Sequence, residues 1–276
     1  MKTMRYAVLI VLMVGLLATD SHSGQARRRI SSLTYPSFDT EDIQAEIKFG
    51  QDLGARILAN YPLWDNETAN RYVSLVGRSL AIFSARGELS FTFGVLDSQE
   101  VNAFATPGGF VFVTRGALIR MADEAQLAAV LGHEMAHVTQ RHMVNELKIK
   151  GDHGSAMGGL ASLIGGAAGG VRSGIEIGLT FGTEILFNRG YLLKDEMEAD
   201  RVGLLITACA GYDPTALKRF LISVERFETE PQTPSKNHPV LAQRLSQIDR
   251  ILNENGLAAL NRPKLKERFN EMVVRP

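Results

Sequence analysis

The chain has 276 residues, with 30 Lys and Arg balanced by 30 Asp and Glu, and a single cysteine, Cys209. Balanced charge removes the broad basic field that nucleic-acid binding needs, so no nucleic-acid partner is expected, and one cysteine excludes an intramolecular disulfide. A chain of this length can bury one substantial core, which must stand on packing and on any metal it holds.

Residues 1–24 read as a targeting segment. Lys2 and Arg5 precede an apolar run from Tyr6 to Ala18 that is too short for a comfortable membrane span, and polar residues follow. A secretory signal peptide cut after Ser23 or Ala26 is expected, with an uncleaved anchor as its rival. Export from a bacterial cytoplasm to the periplasm follows. Arg27, Arg28 and Arg29 then form a solvated tail, and residues 30–276 form one domain.

Helices are expected over 40–61 and 66–85. Phe91, Phe93 and Val95 alternate as in a strand, and so do Phe110, Phe112 and Thr114. With Asn102, Ala103, Phe104 and Ala105 between them, they predict a small antiparallel sheet over 89–114. An unpaired edge strand in it could bind an extended polypeptide, the backbone supplying affinity while alternate side chains enter pockets. The plainer reading is a hairpin turning at Pro107, Gly108 and Gly109.

A helix is expected over 123–149, with Asp123 as its N-cap and Gln126 completing a variant capping box. Leu127, Val130, Leu131 and Val138 recur along it at helical spacing. Inside it lies His133-Glu134-Met135-Ala136-His137, an H-E-x-x-H pentapeptide. Positions four apart share a helix face, so both imidazoles can reach one metal ion. Glu134 lies about 80° from their bisector, too far aside to be a natural ligand but close enough to act as general base on a water that the metal activates. Bound zinc brings the pKa of its water to about 7, which suits hydrolysis of a peptide bond. His142, about 140° round the helix from His137, should point away from the metal as a surface residue.

Catalytic zinc usually takes three protein ligands. The acidic run Asp195-Glu196-Met197-Glu198-Ala199-Asp200 offers the third, on a helix expected over 190–210 where Glu196, Asp200 and Gly203 share a face. Glu196 is assigned as ligand and Asp200 as the carboxylate that orients a ligand histidine. Gly203 would let this helix pack close against the one bearing His133. Taken alone, the acidic run would read as a solvated helix face.

The segment 151–182 interleaves glycines with Leu160, Leu163, Ile164, Val171, Ile175 and Ile177. Each glycine weakens a helix by about 1 kcal/mol, so a mobile linker or lid is expected, the rival being a small-residue surface packed on a membrane. His153 within it should be solvent-exposed. Further helices fit 213–228, 239–254 and 263–273. Cys209, on an apolar helical stretch, should be buried and inert. His238 precedes Pro239, a residue that suits the first turn of a helix, which makes His238 an N-terminal cap on a Pro-rich loop.

At these residues the chain resembles the gluzincin metallopeptidases of the CAAX prenyl protease type, including HtpX-like and BepA-like bacterial members. The resemblance rests on H-E-x-x-H at His133, on Glu196 to Asp200, on the segment Asn102 to Gly109, and on His238-Pro239 with Arg244 six residues after the histidine. It covers roughly residues 40–252. It implies an α+β, mainly helical, zincin-like fold whose edge strand flanks the active site. It also implies His133, His137 and Glu196 as ligands of one Zn2+, with Glu134 as general base. His238 and Arg244 would stabilise the oxyanion, His238 with the alternative of plugging the zinc as a latency switch, and residues 102–105 would hold the substrate strand. The implied function is an envelope endopeptidase cutting unfolded or misassembled proteins, with outer-membrane or envelope assembly proteins as further partners. The competing reading is a periplasmic chaperone or assembly factor with little routine proteolysis. The 276 residues show no fixed-period repeat of the kind BepA-like members carry.

Overall fold

A computed structural model describes residues 38–151, 170–228 and 241–273. Two long helices open it. α1 (Thr40–Asn60) starts at Asp39, whose carboxylate accepts from Glu41 N, and α2 (Glu67–Ala81) starts at Asn66, whose side chain accepts from Ala69 N. Short polar side chains at these caps satisfy amide groups that a helix start leaves without partners.

The three strands are β1 (Thr92–Leu96), β2 (Ala103–Thr106) and β3 (Phe110–Thr114), in the order β1-β3-β2. β2 and β3 form the expected antiparallel pair around Gly108 and Gly109, both at positive φ, a region where glycine carries no side-chain penalty. The sheet as a whole is mixed, because β1 runs parallel to β3 with Phe93 opposite Val111. Alternation of apolar residues predicts strands but is silent on their relative direction, so the wholly antiparallel expectation is corrected here. The two outer edges differ. That of β1 is covered by residues 62–64 through the Leu63–Leu96 bridge and the Trp64 N to Val95 O hydrogen bond, whereas β2 has no second strand partner among the described residues.

α3 (Arg115–Leu118) follows β3, and α4 (Glu124–Thr139), buried along its whole length, runs through the centre of the molecule. Its start matches the expected box: Asp123 Oδ1 accepts from Gln126 N at 3.0 Å, and Gln126 Oε1 accepts from Ala122 N at 2.7 Å. Its end does not. The helix stops at Thr139, ten residues short of expectation, where Arg141 turns left-handed at φ 56 before a short α5 (His142–Leu147). A non-glycine residue pays roughly 1–2 kcal/mol for that conformation, so tertiary contacts must hold it. Arg141 Nε lies 3.0 Å from Glu46 Oε2, and Arg86 donates both to Glu46 and to the Val138 carbonyl at the break, which also accepts from Arg141 N.

α6 (Gly170–Glu184) leads through a π-helical turn at Ile185–Arg189 and Gly190 into α7 (Leu193–Cys209), then come α8 (Ala216–Glu228), α9 (Leu241–Glu254) and α10 (Lys266–Val273). The last part of the expected mobile linker is thus helical. Gly174, Gly178 and Gly182 are buried at four-residue spacing, and a Cβ on Gly182 would meet Leu53 of α1 at 3.0 Å. Here glycines permit close helix packing that outweighs their poor propensity. Residues 152–169, with His153, lie outside the described residues, as do residues 1–24 and Arg27 to Arg29. No helix among the described residues is long and apolar enough to cross a membrane.

α4 and α7 make the tightest crossing. A Cβ on Gly203 would sit 2.7 Å from the backbone N and Cα of His133, and one on Gly132 would sit 3.0 Å from Gly203 O. Two facing glycines therefore bring the backbones into contact. That contact places the acidic first turn of α7 beside the histidines of α4.

Candidate active site

His133 and His137 project from α4 toward Glu196 of α7, all three buried. The two Nε2 atoms are 3.1 Å apart, and Glu196 oxygens lie 3.6 Å from His133 Nε2 and 3.7 Å from His137 Nε2. One donor atom from each residue falls within 4.8 Å of the others. Ring nitrogens and a carboxylate facing one another this closely, out of water, need a cation or a proton between them. Two imidazoles and a carboxylate form a borderline donor set suited to zinc. The residues fit the metal.

Behind His133, Asp200 Oδ1 lies 3.0 Å from its Nδ1. Burial alone would lower this imidazole, but the Asp200 and Glu196 carboxylates outweigh it and push it up to about 9. Burial would likewise raise Asp200, yet Arg244 and His133 hold it below its ordinary value. Arg244, itself buried on α9, grips Asp200 in a fork, Nε to Oδ2 at 2.8 Å and Nη2 to Oδ1 at 2.6 Å, and its Nη1 lies 3.0 Å from Glu196 Oε2. An oxyanion role was expected for Arg244. Its guanidinium is engaged by two carboxylates, since a buried charge needs partners, and the residue also lines the same groove as Glu134.

Behind His137 the arrangement departs further from expectation. The helix break swings His142 back into the interior, and its Nδ1 lies 2.8 Å from His137 Nδ1. His142 is buried beside a candidate ligand, not at the surface, and its Nε2 lies 3.4 Å from Glu198 Oε2. Burial pushes its imidazole below the usual histidine range, against the pull of Asp195 and Glu198. Tyr191 stacks on the His137 ring with centroids 4.1 Å apart. Sequence reasoning missed both residues. One signal was available: 27 residues is long for a globular helix, and a break should have been sought.

Glu134 is buried and, with His133, lines an open groove. Val130, Leu217, Phe220 and Val224 form an apolar wall, and Asn102 and Ala103 also line the groove. The start of β2 therefore borders the groove. Along β2 the side chains alternate: Phe104 turns away to pack on Phe112 and Phe187, so only its backbone could meet a substrate, and Ala105 is buried. His238 and Pro239 lie outside the described residues. Cys209 is buried.

Residues 67–252 match the sequence profile of Peptidase family M48. Among curated proteins, the chain is 31% identical over 230 residues to the beta-barrel assembly-enhancing protease of Yersinia pestis, covering 78% of this chain and 45% of that protein. It is 29% identical over 214 residues to a putative beta-barrel assembly-enhancing protease of Vibrio cholerae, covering 75% of this chain and 44% of that protein. A mitochondrial metalloendopeptidase OMA1 of Schizosaccharomyces pombe is 28% identical over 236 residues, covering 83% of this chain and 65% of that protein. The chain spans less than half the length of the two bacterial relatives.

Proposed function

Because the chain belongs to peptidase family M48, we propose that it is a zinc-dependent endopeptidase of the bacterial cell envelope acting on extended segments of unfolded or misassembled proteins. One observation carries the reading: His133, His137 and Glu196 converge within 4.8 Å of one another, and His133 lines a groove that Glu134 also lines. His133, His137 and Glu196 would hold the zinc, which when bound acts as a Lewis acid on a peptide carbonyl and lowers the pKa of an attacking water. Glu134 takes the water's proton on its carboxylate and returns it to the departing amide nitrogen. Asp200 fixes His133, and Arg244 fixes Asp200 and Glu196. The apolar wall of α8 receives a substrate side chain and excludes water beside the scissile bond.

The open edge of β2 supports binding of the substrate as an added strand from Asn102 to Ala105, with Phe104 contributing backbone alone. Such a mode reads few side chains and suits unfolded polypeptides. Localisation to the periplasm rests on residues 1–24. Envelope assembly proteins as partners rest on the printed names of the bacterial relatives. A zinc plug at His238 rests on the resemblance.

The test is metal removal. Chelator-stripped protein should lose cleavage of casein, and one equivalent of zinc should restore it while calcium does not. Full activity in stripped protein with no measurable metal would sink the reading.

A further inference from the structure

Each ligand histidine must present a lone pair at Nε2, so each must carry its proton at Nδ1 and needs an acceptor there. For His133 the acceptor is Asp200. For His137 the group facing Nδ1 is the other Nδ1, that of His142, at 2.8 Å. Two facing ring nitrogens form a hydrogen bond only if one is protonated and the other is not. With the proton on His137 Nδ1, His142 must accept at Nδ1 and carry its own proton at Nε2, where Glu198 Oε2 lies 3.4 Å away. Tyr191, stacked on His137 with an interplanar angle of 18°, opposes rotation of that ring.

We infer that His142 is a positioning residue for the metal centre: it accepts the Nδ1 proton of His137, passes the polarity on to Glu198, and so fixes His137 in the tautomer that offers Nε2 to zinc. The inference rests on the metal site proposed above. Its origin is the left-handed Arg141, since a continuous α4 would send His142 outward. Glu46 and Arg86 hold that break, so the orientation of His137 depends on α1, a helix that contributes no ligand.

The experiment measures zinc affinity by chelator competition on the purified full chain and on His142→Leu and His142→Asn, with urea unfolding of each metal-free protein alongside. Asn can place an acceptor oxygen near the lost Nδ1, whereas Leu keeps bulk and removes the acceptor. His142→Leu should bind zinc about 10- to 100-fold more weakly, with His142→Asn recovering most of that loss. Long-range 1H–15N spectra of the metal-loaded parent should show His142 protonated at Nε2. Parental zinc affinity in His142→Leu overturns the inference, and so does a His142→Asn protein no better than Leu at equal metal-free stability. A parent that binds no zinc overturns the metal site itself and the inference with it. The two failures are therefore distinguishable.

Discussion

The two ends of α4 (Glu124–Thr139) are both tied down through a buried carboxylate, but in different dielectric surroundings. At the start, Glu124 accepts from Tyr72 at 2.5 Å, from Tyr212 at 2.7 Å and from Arg268 of α10, whose side chain is 52% exposed. At the end, Glu46 holds Arg86 and Arg141, and side-chain exposure there is 0% for Glu46, 1% for Arg86 and 8% for Arg141. Water screens the first network and hardly reaches the second. Tethers of similar chemistry should therefore differ in strength, in salt dependence and in their effect on the site. The buried one stands beside His142 and His137.

The largest effect should come from Glu46→Ala, which removes the carboxylate paired with buried Arg141, leaves buried Arg86 with Glu88 alone and frees the Arg141 turn. About 3–5 kcal/mol of stability should be lost, read by urea unfolding of the metal-free protein, with little relief from added salt. A loss under 1 kcal/mol would erase the contrast between the ends. Midway along the helix, Gly203→Val would drive a Cβ into the His133 backbone, now 2.7 Å away. It should cost about 3 kcal/mol and weaken zinc binding, because Glu196 moves with α7.

The exposed tether should yield less. Arg268→Ala should cost at most about 1 kcal/mol, and the cost should shrink in high salt. Glu124 also gives this end a pH signature. Burial would raise its carboxyl, but hydrogen bonds from Arg268, Tyr72 and Tyr212 outweigh it and hold the group below its ordinary range. A depressed carboxylate contributes stability above its unfolded pKa of about 4.3 and loses it as pH falls through the folded value. The stability gap between the parent and Glu124→Gln should therefore be constant above pH 5 and narrow below pH 4. A gap that widens in acid would contradict the assignment. Smallest of all, Lys148, exposed and at φ 51, closes α5 in a left-handed turn. Lys148→Gly should stabilise by about 0.5 kcal/mol, strain relief exceeding the entropy added to the unfolded chain.

The same contrast marks what was legible in the amino-acid sequence. The start of α4 was readable because Asp123 and Gln126 are local signals. His133, His137 and Glu196 were readable because helix geometry turns spacing into a shared face, and Gly203 marked where two helices could touch. The end of α4 was not readable. Met143, Val144 and Leu147 continue an apolar pattern compatible with an unbroken helix, and what breaks it is Glu46 and Arg86, far away in the chain. The expected surface position of His142 failed for that reason. Local sequence likewise carries no sign that Asp200 and Glu196 would hold the Arg244 guanidinium, 44 residues from Asp200. Strand direction was hidden too, since β1 joins β3 through a connection whose path no alternation reveals.

The most direct test of the account is cleavage of unfolded casein by the zinc-loaded parent and by Glu134→Gln, with bound zinc measured in both. The account predicts one zinc per chain in each protein and at least about a 100-fold loss of cleavage in Glu134→Gln, the scale expected for removal of a general base. Cleavage at the parental rate by zinc-loaded Glu134→Gln would contradict it, because no other carboxylate in the account occupies that place beside the metal ligands.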